Sequence, residues 1–514
     1  WDDGQELPDM SAQQYLPFAS SDEGTRILAL GSRSDFPDIG NDKWQHVAVA
    51  EPGELPDNWL AYTNLDVVVM NPTQLSEVVE KHPRRFAALR AWVTTGGNLW
   101  VYNVPASDQR RAELSALLDA LPTDVDSDTV APAERWRDPD PSVSVNRGKF
   151  VWRPLGCGVV VAFEAKRTRS GNLNWTSVCD CAGQGRTDWQ SRHGVSFAGS
   201  NNDFWTLTIP GVGLPPIKTF YILITVFVVA IGPVNYVLLR RRHRLNLMAV
   251  TVPVSAALVS GGLLIYALIA DGLDTRMRTR SLTQIDQRRG EAVCWSRLSY
   301  YAGRARSAGL KFATDTAIYP LDAEVSRSAG TRPTREISWT DDQHLGRGWL
   351  LARTATQLVT VRHRVSDMRL DIEQRDEASP RAVNRLGCHL KRLWLVDGDG
   401  QWYEWSGGEV DGKLDFVVTD FLQFKDNWQK VHHAAALRYP DDVHSGWTTG
   451  SFFSGFKPPG VDSAESILER SMVQPLDENS RRSYVAVTDG SAELQRGLEP
   501  DSETPDFHVI VGRW

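Results

Sequence analysis

The sequence predicts three successive structural classes: an α/β domain on a parallel sheet, a two-helix transmembrane hairpin, and a β-sandwich-like domain. Three observations carry that expectation. Short apolar runs alternate with a helical pattern between residues 23 and 125. Charged residues almost vanish between 216 and 270, except in one arginine-rich stretch. Beyond 271 the chain breaks into many short β-type runs separated by Gly, Asp and Pro.

Composition sets the outer limits. A chain of 514 residues exceeds what a single core organises, so several domains are expected. The net charge of −8 argues against a nucleic-acid partner, because phosphate recognition requires a basic field. The chain begins at Trp1 without an apolar leader, which leaves open both removal of a signal segment and a start within a longer protein. Residues 1–22 are acidic and aperiodic and read as an extended N-terminal segment.

From residue 23, TRILALG (25–31), WQHVAVAE (44–51) and LDVVVMN (65–71) read as short apolar strands. A helix is expected from about Thr73, with Leu75, Val78, Val79, Phe86, Leu89 and Trp92 on its apolar face and Pro83 as an interruption. Thr95-Gly96-Gly97 ends it, and NLWVYNV (98–104) is the next strand. Strands alternating with helices predict a parallel sheet flanked by helices. Residues 126–215 read as a β-rich extension, with strands expected in KFVWRPLGCGVVVAFEA and DFWTLTIPG. Gly156-Cys157-Gly158 reads as a hairpin or bulge rather than a dinucleotide fingerprint, since no G-x-x-G or helix follows.

The hairpin is expected over 216–270. No charge falls between Thr219 and Leu239, a helix of roughly 31 Å against a hydrocarbon core of about 30 Å. Leu245 to Ala270 is equally uncharged. The link between them holds Arg240, Arg241, Arg242 and Arg244, which places the turn in the cytoplasm and both large domains outside it. Lys218, Arg276, Arg278 and Arg280 on the other side weaken that bias. Gly232-Pro233 is expected to kink the first helix, and Asn235, a polar amide at membrane depth, needs a partner. Tyr236 neighbours it. Ala256, Ala257, Ser260, Gly261 and Gly262 permit close helix approach, either within the hairpin or against another membrane subunit. The expected partners are the lipid bilayer and other membrane-protein subunits.

Residues 271–514 read as a β-rich domain with one helix near Ser463–Met472. Asp397-Gly398-Asp399-Gly400 and Asp411-Gly412 read as turns, because the first lacks the spacing of a calcium loop. His432, His433 and His444 have no matching carboxylate or cysteine pattern, so no metal and no cofactor are expected. The five cysteines leave two readings open: a link from Cys157 to Cys179 or Cys181, or free thiols. Nineteen tryptophans fit cores, membrane belts or glycan-contacting surfaces.

LDVVVMN and LRAWVTTGGNLWVYN resemble the class I glutamine-amidotransferase-like fold, with its flavodoxin-like parallel sheet. Catalytic members of that fold carry a cysteine on a strand-to-helix turn. No cysteine lies between residues 1 and 156, and no G-x-S-x-G replaces it, so the expectation is a domain that is not an enzyme. Four passages extend the likeness: IGPVNYVLLRR, TRSLTQIDQRRGEAVCWSRLSYYAG, NRLGCHLKRLWLVDGDGQWYEW and the ending RSYVAVTDG…DFHVIVGRW. Together they resemble a group of bacterial membrane proteins that place an amidotransferase-like domain before a transmembrane hairpin and a β-rich domain after it. The resemblance implies a bacterial inner-membrane location and an accessory or scaffold role in a larger, transporter-like complex. An envelope glycan- or solute-binding protein and an amidotransferase-like hydrolase are the rival expectations.

Overall fold

A computed structural model describes residues 25–31, 46–104, 108–118, 136–137, 150–163, 184–196, 201–210, 217–242, 247–270, 272, 274–304, 308–322, 335–375, 378–405, 407, 409–410, 413–437, 466–503 and 506–514. The N-terminal segment 1–22, Asp411-Gly412 and His444 lie outside them.

Six strands make the first sheet: β1 (Arg26–Leu30), β2 (His46–Ala50), β3 (Val67–Met70), β4 (Asn98–Tyr102), β5 (Phe150–Leu155) and β6 (Gly158–Phe163). Their order is β2-β1-β3-β4-β6-β5, parallel throughout except for the β5–β6 hairpin. β3 and β6 are buried at every position, which is why they read as unbroken apolar runs rather than alternating ones. β6 therefore continues the parallel sheet rather than starting a separate β layer.

After β3 the helical pattern divides into α1 (Pro72–Lys81) and α2 (Pro83–Thr95). Asn71 and Gln74 close a capping box at the start of α1. Pro83 has no N–H to continue α1, but its fixed φ suits the first position of a new helix. Gly96, at φ 128°, stops α2. At Gly158 a Cβ would come within 2.0 Å of the Val93 carbonyl oxygen, so β6 runs directly against the end of α2. Helix α3 (Asp108–Leu118) follows β4, and two short helices, α4 (Gln184–Thr187) and α5 (Trp189–His193), follow β6.

The strand expected in DFWTLTIPG is absent. Asn202–Leu207 forms a 3₁₀ turn instead. Asn201 accounts for the difference: its side chain accepts from the Ser196 N–H at 2.7 Å and donates to the Asp322 carbonyl at 2.9 Å. These bonds tie the segment to the later half of the chain instead of to a sheet edge.

The uncharged region is helical. It comprises α6 (Ile217–Val229), a π-helical turn (Ala230–Val234), α7 (Asn235–Arg241) and α8 (Met248–Ala270). The π turn falls on Gly232-Pro233, where the missing proline N–H prevents regular α bonding and the Asn235 N–H reaches back to the Ala230 carbonyl. Ile224–Arg241 is long and apolar enough to cross a membrane, whereas Met248–Gly262 is a shorter apolar stretch.

Beyond the helices, the largest sheet runs β10 (Thr316–Leu321), β13 (Ala355–Val365), β8 (Glu291–Ala302), β7 (Thr275–Asp286), β23 (Phe507–Arg513), β21 (Ser483–Thr488), β16 (Leu390–Val396), β17 (Trp402–Trp405) and β20 (Val417–Thr419). The short β22 (Ser502–Glu503) joins β7. Pairing is antiparallel except where β7 meets β22 and β23. A three-stranded sheet (β9, Leu310–Ala313; β11, Ile337–Trp339; β12, Asp342–Leu345) stands apart from a four-stranded one (β14, Arg369–Arg375; β15, Ala378–Arg385; β18, Glu409–Val410; β19, Lys413–Asp415). In the β16–β17 turn, Asp397 Oδ1 accepts the N–H groups of Asp399, Gly400 and Gln401, so this carboxylate serves the turn.

Two helices complete this half: α9 (Phe421–Ala434) and α10 (Ile467–Val473). The second lies where the sequence placed a helix. The first was not expected there, although Asp420 caps it and Phe424 and Trp428 bury one face. His432 and His433 occupy its last turn, and no cluster of metal-ligating side chains occurs among the described residues.

The regions before and after the apolar helices share one core. Leu30, Val68, Leu99 and Val160 of the first sheet belong to the same buried cluster as Leu282, Trp295, Val359, Val361 and Ile467. Helix α2 lies between, touching β6 on one side and β13 on the other. Along β16, Trp394 and Val396 join that shared core while Leu393 and Leu395 pack with Leu370, Ala382 and Leu414 of the four-stranded sheet. At the junction, Trp295 Nε1 donates to the Thr95 carbonyl at 2.9 Å, both residues being buried.

Trp295→Phe keeps most of the apolar volume but removes this donor. It is expected to lower unfolding free energy by about 1–3 kcal/mol, measured by denaturant titration of the purified protein. An unchanged midpoint would show that the bond contributes nothing to the junction.

Candidate functional site

The helical pair is the first candidate. Asn235 Nδ2 donates to Thr251 Oγ1 at 3.0 Å, so α7 and α8 are joined side chain to side chain across the turn. Thr251 was not singled out in the sequence, since a threonine in an apolar run carries no signal until its neighbour is known. Pro233 and Tyr236 are exposed, and so is Ser260. Ser260 and Gly261 lie about two and a half turns beyond Thr251 on α8, so they do not share the Asn235 contact. At Gly232, Gly261 and Gly262 an added Cβ would meet nothing within 4 Å. The small residues therefore leave open space rather than holding this helix pair together. Arg240, Arg241 and Arg242 are exposed at the end of α7, and Arg244 lies outside the described residues.

On the other side of the helices, two of the arginines weighed against that cluster are structural. Arg280 forms a bidentate pair with Glu469 (Nε–Oε1 2.6 Å, Nη2–Oε2 2.8 Å) and donates to the Ala435 carbonyl. It is 2% exposed. Arg278 donates to the Thr208 carbonyl at 3.0 Å.

The second candidate is a cleft of about 870 Å³ at the seam between the two halves. Arg90, Arg137 and Arg186 line it from the first half, and Arg470, Arg481 and Arg513 from the second. Its carboxylates are Asp286, Glu291 and Asp477, and all three are engaged by arginine. Glu291 lies 2.7 Å from Arg90, Asp477 3.1 Å from Arg137, and Asp286 3.2 Å from Arg288. Arg186 donates to the Cys157 carbonyl at 3.0 Å. Burial pulls the Arg186 pKa below its ordinary value, since taking a guanidinium out of water disfavours its charged form. His363, also in the cleft, is held below its usual range by burial, opposed by Glu291.

Beside the seam sits a buried ion pair. Arg192 Nη2 lies 3.2 Å from Asp66 Oδ1, without hydrogen-bond geometry, and the same guanidinium donates to the Leu65 and Asp66 carbonyls. Asp66 Oδ2 accepts the Arg26 N–H at 2.8 Å. Burial outweighs the Arg192 charge and lifts Asp66 to about 6. Next to it, His193 stacks on Trp189 and meets Trp295 and Tyr319, and burial followed by Arg192 pushes its pKa well down. No sequence pattern announces these contacts, because Asp66 and Arg192 are distant in the chain and meet only in the folded state.

The carboxyl ends of β1 and β3, where doubly wound sheets bind ligands, are already engaged. Gln74 Nε2 donates to the Leu30 carbonyl at 2.8 Å while its oxygen completes the capping box. Cys157 is a buried free thiol, pushed up to about 12 by burial. Cys179 and Cys181 lie outside the described residues.

No protein-family model matches the sequence. No curated protein matches it either. Among solved structures, the yeast delta-COP-I mu-homology domain is similar at a TM-score of 0.18 and 8% identity, over 46% of this chain and 95% of that domain. A likeness of that strength carries no argument about fold or function.

Asp66 sets a pH test. Its folded value near 6 lies above the ordinary 3.8, so between these values the native state holds a proton that the unfolded chain has released. This group's contribution to stability is fully present below about 4 and is lost as pH rises through 6. Asp66→Asn cannot titrate. The stability of the native chain relative to this variant should therefore fall by on the order of 2 kcal/mol from pH 4 to pH 7. Parallel pH–stability curves for the two proteins would refute the assignment.

Proposed function

We propose that this chain is a membrane-anchored, non-catalytic accessory or scaffold subunit of a larger bacterial membrane complex. The observation that carries the reading is the core shared across the apolar helices. Ile224–Arg241 is long and apolar enough to cross a bilayer, and the regions on either side of the helices pack into one body. A chain that leaves that body through one crossing has to return to it, and α8 is the segment available for the return. This supports the reading of a two-span hairpin, with both large regions on one side. Apolar side chains exposed along the pair, including Tyr221, Ile222, Val226, Val237 and Leu258, would then face lipid or neighbouring helices.

The arginines support a sidedness. Arg240, Arg241 and Arg242 are exposed at the turn, whereas Arg278 and Arg280 are occupied in the fold and cannot anchor to headgroups. With those two removed from the comparison, the bias towards a cytoplasmic turn and extracytoplasmic domains strengthens. Open space at Gly232, Gly261 and Gly262 supports docking of another subunit's helix. The order β2-β1-β3-β4 is that of a flavodoxin-like sheet, which supports the amidotransferase-like reading of the first half. A buried thiol at Cys157, titrating near 12, is a poor nucleophile and supports a role without catalysis.

Cysteine labelling tests the arrangement. His243→Cys should resist an impermeant thiol reagent in intact cells and react after permeabilisation, against the background of the unmodified chain. Ready labelling in intact cells would reverse the orientation, and release of the protein by a carbonate wash would end the membrane reading. Purification in mild detergent should recover stoichiometric partners, and Gly261→Leu should lose them while leaving the chain's own unfolding midpoint unchanged. A monomer across several detergents would defeat the subunit proposal.

A further inference from the structure

The seam cleft holds more positive charge than its own carboxylates neutralise, and the surplus is built in rather than scattered. Arg186 and Arg481 come from opposite halves of the chain, and among the described residues neither has a carboxylate partner. Arg186 contacts the Cys157 carbonyl, which offsets only part of what desolvating a guanidinium costs. Arg481 is held in place: it donates to the Glu478 and Ser480 carbonyls and lies over Gly400. A Cβ at Gly400 would come within 2.4 Å of the Arg481 Cζ, so the glycine makes room for the guanidinium. The cleft's volume matches that of small-molecule sites. Guanidinium groups fixed by main-chain carbonyls keep their remaining donors in a planar fork suited to phosphate and carboxylate oxygens.

We propose that this cleft binds a small molecule bearing two or more oxyanionic groups, gripped by Arg186 from one half and Arg481 from the other. The inference is independent of whether the apolar helices cross a membrane. It assigns the chain a ligand site that an anchoring role does not require.

Calorimetric titration of the full-length protein in detergent tests it, with inorganic pyrophosphate and citrate as probes and sodium chloride at matched ionic strength as reference. Saturable one-site binding of either probe is expected, and which one binds separates phosphate from carboxylate recognition. Arg481→Gln should weaken that binding by about tenfold or more, as should Arg186→Gln. Arg110→Gln, which removes an exposed arginine paired with Glu113, should leave it unchanged. Arg186 is the more deeply placed of the two, so if that variant does not fold, Arg481→Gln decides. Absence of saturable binding beyond the chloride reference would overturn the proposal. So would equal weakening by Arg481→Gln and Arg110→Gln.

Discussion

The indole N–H of Trp295 meets the Thr95 carbonyl where neither group is exposed to water, and around that contact the two halves of the chain become one body. Thr95 ends a helix of the first half, and Trp295 sits on a strand of the second. Between them in sequence lie the apolar helices, so the contact closes a loop that contains the whole uncharged region. That closure constrains everything else. It limits the ways in which the helices can run, and it fixes the walls of the cleft. It also explains why α2 is apolar on more than one side: Phe86, Ala88, Leu89, Ala91, Trp92 and Val93 are all buried because the helix has a sheet on each flank.

Glycine makes the close approach at this junction available. A Cβ on Gly96 would come within 2.2 Å of Ile467 Cδ1, a side chain from the opposite end of the sequence. The double-glycine turn thus does two jobs. It terminates α2 with a positive φ, and it lets α10 settle against the turn. The same helix α10 carries Glu469, whose bidentate pair with Arg280 orients it over β7. A buried pair of this kind adds little net stability, because desolvation offsets the attraction, but breaking one partner leaves an uncompensated charge. Its contribution is to select one docking geometry among those that would bury similar apolar area.

Much of the first half was legible in the sequence because its signals are local. Unbroken Val-rich runs marked β3 and β6, Pro83 marked the break between α1 and α2, and Gly156-Cys157 marked the β5–β6 hairpin. The departure from regular helix at Gly232-Pro233, a π-helical turn, was legible for the same reason. What stayed hidden was set by distant partners. Asn202–Leu207 has an apolar β-type composition, yet it forms a 3₁₀ turn whose preceding residue, Asn201, bonds the distant Asp322 carbonyl. Helix α9 was obscured by its mixture of aromatic and charged residues, and its logic appears only once Phe424 and Trp428 are seen against Trp394. Arg280 illustrates the limit best. In the sequence it is one of several basic residues near the apolar helices, and in the fold it is a buried structural ion.

Arg90–Glu291 and Arg137–Asp477 both cross between the halves, so the charges that line the cleft also hold its two walls in register. A cleft built this way exists only while the halves stay docked, and a ligand that bridges Arg186 and Arg481 would bind the docked state alone. By linkage, such a ligand would strengthen the docking by an amount that grows with its concentration relative to its dissociation constant. Because the same docking closes the loop that holds the apolar helices, a ligand in the cleft would also favour the closed form of that loop.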